Sequence, residues 1–122
     1  MNTEALKKFC AEFAHAVAKE SGDPSNVLTY SIGGKNFAYF KTSAPERWRF
    51  SFRVMPERFL ELTDQPGIKP ARYMGRFHWV TVVNVESVDE GYLQDLVTWS
   101  YDKAFESLPK RVQLTLRVDQ TE

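Results

Sequence analysis

Cys10 is the only cysteine in this chain of 122 residues. One thiol forms no internal disulfide and supplies no thiolate-rich zinc site, which removes both disulfide-stapled and zinc-ribbon scaffolds. Histidine is almost as scarce: His15 and His78 stand far apart with no His-x-x-x-His spacing. Neither a metal nor any other cofactor is expected. No uninterrupted apolar run approaches the roughly 18 residues of a membrane-spanning helix. Met1–Lys8 lacks the basic and then apolar regions of a signal peptide, so a cytoplasmic protein without membrane association is expected. Excess charge is missing too, because sixteen basic residues balance sixteen acidic ones. Catalytic motifs are equally absent. Gly33-Gly34 joins two strand-like runs rather than opening a phosphate-cradling helix, and no nucleophile elbow occurs. No catalysis is expected.

What remains is an ordinary globular composition, 43% hydrophobic and 26% charged, with a generous 14% of aromatic residues that must pack somewhere. The length predicts a single domain over residues 1–122, and a monomer is the expected state. There are no repeats, low-complexity stretches or linkers.

Apolar spacing predicts an amphipathic helix over 4–20, with Leu6, Phe9, Cys10, Phe13, Ala16 and Val17 on one side, stopped by Gly22 and Pro24. Val27–Ile32 and Asn36–Lys41 read as a hairpin about Gly33-Gly34. Arg47–Val54 alternates, with Trp48, Phe50, Phe52 and Val54 facing one way and Arg47, Arg49, Ser51 and Arg53 the other. Pro56 suits the first position of a short helix running to about Thr63. Ile68–Arg76 is irregular with room for a short strand, and Phe77–Val85 reads as a central strand. Ser87-Val88-Asp89-Glu90 matches a capping box before the last clear helix, which Pro109 ends. Val112, Leu114, Leu116 and Val118 fit a final strand or an ordered tail. The order is α-β-β-β-α-(β)-β-α, an α+β fold with an antiparallel sheet packed by helices.

Charge is unevenly distributed along the chain. Residues 45–80 carry seven basic against four acidic residues, whereas residues 81–122 carry four against eight. Arg47, Arg49 and Arg53 therefore form a candidate cationic strip on one strand face, with Arg72, Arg76, Lys35 and Lys41 placed to extend it along a phosphate backbone. The alternative is a solvated face neutralised by Glu57, Glu61 and the acidic last helix. His78 is a further candidate ligand contact, although strand alternation sends it and Trp79 to opposite sides. Tyr73 and Tyr101 are aromatic groups with a polar tip, and Tyr92 and Trp99 are candidates for a partner surface on the last helix.

Ile68-Lys69-Pro70-Ala71-Arg72-Tyr73-Met74, His78-Trp79-Val80, Ser100-Tyr101 and Leu108-Pro109, in this order and spacing, resemble the MmcQ/YjbR family; Gly34-Lys35-Asn36-Phe37-Ala38 fits its hairpin. The chain departs from that pattern between Ser21 and Tyr30, and has Arg53 where a lysine often stands. The resemblance implies a secretion-chaperone-like α+β fold. It also implies DNA binding, by the likeness of two β-structured wings to those of a phage transcription factor. The expected partner is therefore DNA, with a protein-interaction or chaperone-like domain as the alternative.

Overall fold

In the computed structural model, which describes the backbone of residues 1–120 and side chains as far as Arg117, Asn2 starts helix α1 (Thr3–Ala11) by accepting the Ala5 N–H at 2.8 Å. The helix ends well short of residue 20. The Glu12 N–H closes on the Lys8 and Phe9 carbonyls, and His15 turns the chain with φ 60°. Val17–Ser21 is then a strand, β1, antiparallel to β2 (Val27–Ile32). Its first four residues are exposed, so it carries no apolar alternation, and pairing with β2 rather than burial makes it a strand.

The hairpin between β2 and β3 (Lys35–Lys41) turns on Gly33 and Gly34, both at positive φ (55° and 85°), as a two-residue turn between antiparallel strands requires. Gly33 has a second constraint: a Cβ there would lie 2.8 Å from a methyl carbon of Leu108. Strand β4 is Phe50–Arg53, shorter than the alternation over 47–54 suggests. Trp48 sits at φ 68° and the Arg49 N–H bonds the Glu46 carbonyl at 3.1 Å, so residues 46–49 form a turn and the alternation breaks inside the arginine run.

Pro56 opens helix α2 (Pro56–Thr63) as expected. Strand β5 (Ile68–Pro70) is the short strand for which 68–76 left room. Strand β6 is only Trp79–Val82, bounded by 3-10 turns at Gly75–Phe77 and Val85–Ser87, with His78 at φ 67°. Helix α3 (Glu90–Glu106) is capped by Asp89, which accepts the Tyr92 N–H at 3.0 Å, two residues beyond the Ser87 of the capping-box reading. The stretch Lys110–Gln120 is neither strand nor tail but helix α4. Period-2 spacing of Val112, Leu114 and Leu116 misleads here: Val112 and Leu116 pack on the core, one helical turn apart, while Leu114 stays 60% exposed.

The α+β class and the antiparallel sheet stand as expected, with β1 and α4 added to the order. The six strands run β1-β2-β3-β4-β6-β5, every neighbour antiparallel. Phe40, Phe50, Val82 and Ile68 form one buried register row, and Ala38, Phe52 and Val80 the next. This side packs against Leu6 and Cys10 of α1 and Leu93 and Val97 of α3. Six of the seventeen aromatic rings are buried here, Phe37, Phe40, Phe50, Phe52, Tyr30 and Tyr101, and Phe9, Phe13, Trp48, Phe59, Tyr92 and Phe105 pack against this core half-buried.

One irregularity fixes how the sheet meets α3. Between the pairs Tyr30–Ala38 and Ser31–Asn36, β3 has an extra residue, Phe37, a β-bulge. Its carbonyl accepts a hydrogen bond from the Ser100 hydroxyl at 2.6 Å, and that hydroxyl's own oxygen accepts the Arg53 N–H at 3.1 Å. Ser100→Ala leaves both backbone groups without that partner beneath a helix. We expect a loss of about 1–3 kcal/mol in urea unfolding with unchanged denaturant slope. A loss below about 0.3 kcal/mol would show that the bulge does not need the hydroxyl.

Candidate functional site

Because the helices cover one side of the sheet, the other side is open, and strand alternation decides what stands on it. A single register row crosses all six strands: Lys19, Thr29, Tyr39, Ser51, Thr81 and Lys69. Adjacent strands are ~4.8 Å apart, so the row spans roughly 24 Å. Four hydroxyl side chains occupy its centre and a lysine ends it on either side. Ser51 and Thr81 hydrogen-bond each other at 2.7 Å. Trp79 lies beside them, its ring 5.8 Å from Tyr39 and tilted by 32°.

Three connections raise walls around this floor and make a groove of about 890 Å³. Pro24 and Ser25 come from the β1–β2 turn, Glu46 and Arg49 from the β3–β4 turn, and Arg72, Tyr73 and Met74 from the β5–β6 connection. Among the described residues, the charged ones lining it are Lys41, Arg49, Lys69 and Arg72 against one carboxylate, Glu46. Glu46 is the electrostatic hinge of the rim, 3.3 Å from Arg49 and 3.4 Å from Arg72. It joins two walls that are 26 residues apart in sequence. Lys41 is anchored by donating to the Ser25 carbonyl at 2.8 Å.

The residues singled out from sequence are dispersed by this geometry. Arg49 and Arg72 line the groove. Arg53 is the register partner of Trp79, so it leaves β4 on the same face, next to the lining residues. Arg47 does not join them: it is exposed, with its guanidinium 5.1 Å from the Trp48 ring, which also carries the Lys7 ammonium of α1 at 3.9 Å. The positive φ of Trp48 is the reason that Arg47, Arg49 and Arg53 form no continuous ladder. Arg76 is exposed on a 3-10 turn over Phe77, and Lys35 is exposed at the hairpin. His78 turns toward α2, edge-on to Phe59 at 5.4 Å, while Trp79 faces the groove. Tyr101 is core, donating to the Ala14 carbonyl at 2.7 Å. Tyr92 and Trp99 are half-buried on α3.

Sequence reasoning missed Glu46, Lys69 and the hydroxyl row. The signal for the row was faint: Thr29, Ser51 and Thr81 are polar residues inside otherwise apolar strands, and only the register of five strand pairs aligns them.

A family model described as YjbR matches residues 11–103. A crystal structure of a Deinococcus radiodurans protein with a DUF419 domain is similar over 94% of this chain and 87% of its own, at 26% identity and a TM-score of 0.80. A Pseudomonas syringae protein solved by a structural-genomics consortium shares the fold at 18% identity, with a TM-score of 0.69 over 85% of this chain and 99% of its own. Among curated proteins, the "Uncharacterized protein YbdF" of Escherichia coli O157:H7 is 36% identical over 52 residues, spanning 43% of each chain. The match thus covers under half of that relative's length.

The covered side of the sheet holds the groups whose protonation is most perturbed. Burial pushes the Cys10 thiol up to about 12. Burial, and then the neighbouring Cys10 and Glu4, push the Tyr30 phenol up to about 12 as well. Such a thiol is inert at neutral pH, so Cys10 is a packing residue. Both groups keep protons in the folded state that the unfolded chain releases from about pH 9 and 10 upward. Their contribution to stability is complete below that range and is lost as pH climbs toward 12. We expect the urea midpoint to fall steadily above pH 9, and Cys10→Ala to make the fall shallower. A midpoint flat to pH 11 would contradict this.

Proposed function

The chain belongs to the YjbR family, and on that premise we propose that it is a DNA-binding domain whose open sheet face holds the phosphate backbone, without catalysis. The observation that carries the proposal is the charge of the groove: Lys41, Arg49, Lys69 and Arg72 stand around it with Glu46 as the one opposing carboxylate among the described residues. The chain as a whole is neutral, so this is local concentration rather than general basicity. Guanidinium groups suit the task because their planar donors match phosphate oxygens. Hydroxyls on the floor donate and accept, as contacts to bases or sugars require.

In this reading the contacts are Arg49 and Arg72 with Lys41 and Lys69, while Arg53 stands at the margin. Arg47, Arg76, Lys35 and His78 take no direct part. Glu46 acts as an internal stand-in for phosphate. In the free protein it holds both guanidiniums in place, and on binding it must give them up. The other candidate, a protein-interaction or chaperone-like domain, drew on the fold class and on surplus aromatic residues; with twelve of the seventeen rings in or against the core, it retains the exposed Met55, Leu60 and Phe77.

The test is fluorescence anisotropy with a short labelled DNA, offered single-stranded and as duplex, across a range of salt concentrations. With four cations on phosphate, log affinity should fall with log salt at a slope of about −3 to −4 in the tighter-binding form. Arg49→Ala and Arg72→Ala should each weaken binding several-fold and flatten the slope by about 1, and Arg76→Ala should leave both unchanged. Glu46→Gln should tighten binding. A salt-independent interaction, or equal losses from Arg72→Ala and Arg76→Ala, would refute the proposal.

A further inference from the structure

We infer that the groove takes DNA as a single strand, with an unpaired base stacked on Tyr73; this rests on the DNA-binding reading above and specifies its substrate. Tyr73 is the most conspicuous ring on the surface, 87% exposed at the lip of the groove beside Arg72. An exposed tyrosine gains nothing from burial, yet its backbone is held at φ 68°, a left-handed conformation that disfavours residues with a Cβ. The fold imposes it. The Gly75 N–H bonds the Ala71 carbonyl at 2.8 Å, and the Ala71 N–H bonds the Trp79 carbonyl at 3.0 Å, closing the turn that presents the ring. Residues held in such conformations cluster at ligand-contacting sites, and here the strained residue is an exposed ring that lines the groove.

The depth of the site selects single strands. The groups able to read a base are recessed: Ser51 is 3% exposed and Trp79 6%, below a rim that carries the charges. In duplex DNA the bases are paired inward, and a protein reads them by inserting a protruding helix or ribbon into a groove. This face is concave and has nothing of that kind at its centre. A single strand meets it differently. Its phosphates lie along the charged rim, while unstacked bases turn down toward the hydroxyl row or lie against an aromatic ring, as on other sheet surfaces that bind single strands.

The experiment compares a labelled oligo-thymidine of about 12 nucleotides with a duplex of the same length, at one salt concentration, on the intact chain. We expect the single strand to bind at least about tenfold tighter. Tyr73→Ala should weaken it by about 5- to 100-fold, the range for loss of one stacked base, and Tyr73→Phe should stay within about twofold. Circular dichroism should show both variants folded, because the ring is exposed. Equal or tighter duplex binding overturns the inference, as does a Tyr73→Ala variant that binds normally while Arg72→Ala does not. If neither form of DNA binds, or if Arg49→Ala and Arg72→Ala have no effect, the DNA-binding reading itself fails.

Discussion

A single serine hydroxyl decides how the two halves of this fold fit together. The sheet carries an extra residue at Phe37, and a bulge leaves a backbone group with no partner on the neighbouring strand. Ser100, deep on the inner side of α3, donates to that carbonyl and accepts from Arg53 at the end of β4. The bulge sends Phe37 into the aromatic cluster with Phe13 and Tyr101, while Tyr39 projects to the opposite side. Without it, the alternation of β3 would run one step out of phase, and residues meant for the core would face water.

Everything on the open side follows from that phase. Once Phe40, Phe50 and Val82 face the helices, their neighbours Tyr39, Ser51 and Thr81 must face outward, and the strand register draws them into one line. Loops then set the charge. Glu46 ties the β3–β4 turn to the β5–β6 connection through two guanidinium groups, one half-buried and one exposed. Ion pairs with this much solvent access contribute little to stability, about 0–1 kcal/mol. Their consequence is geometric: two mobile side chains are already gathered at one place. A ligand that replaces the carboxylate meets less of the entropic cost of ordering them.

Several local signals in the sequence were read correctly, although the apolar spacing over 4–20 was carried nine residues past the end of α1 at Ala11. The glycine pair at 33 and 34, Pro56 at a helix start, and the capping residues and Pro109 that bracket α3 each specify their element within a few residues. Errors came where the deciding interaction was distant. Strand β1 has no buried side to betray it and exists because β2 offers hydrogen bonds. Helix α4 hides behind an accidental every-other-residue pattern. The arginine strip failed on one backbone angle at Trp48, although the cationic stretch 45–80 does supply Arg49, Lys69, Arg72 and Glu46 to the groove. Which residues share a register row depends on five strand pairings at once, and no local window contains that information.

The two outermost strands also constrain how anything can approach. Strand β5 is three residues long and ends in Pro70, which has no N–H to offer, and β1 presents Lys19 and Glu20 along its length. Such borders resist the addition of another strand, whether from a peptide or from a neighbouring copy. The sheet is thereby a platform of finite width, protected from aggregation through its margins, and a visitor has to settle onto it from above through side-chain contacts.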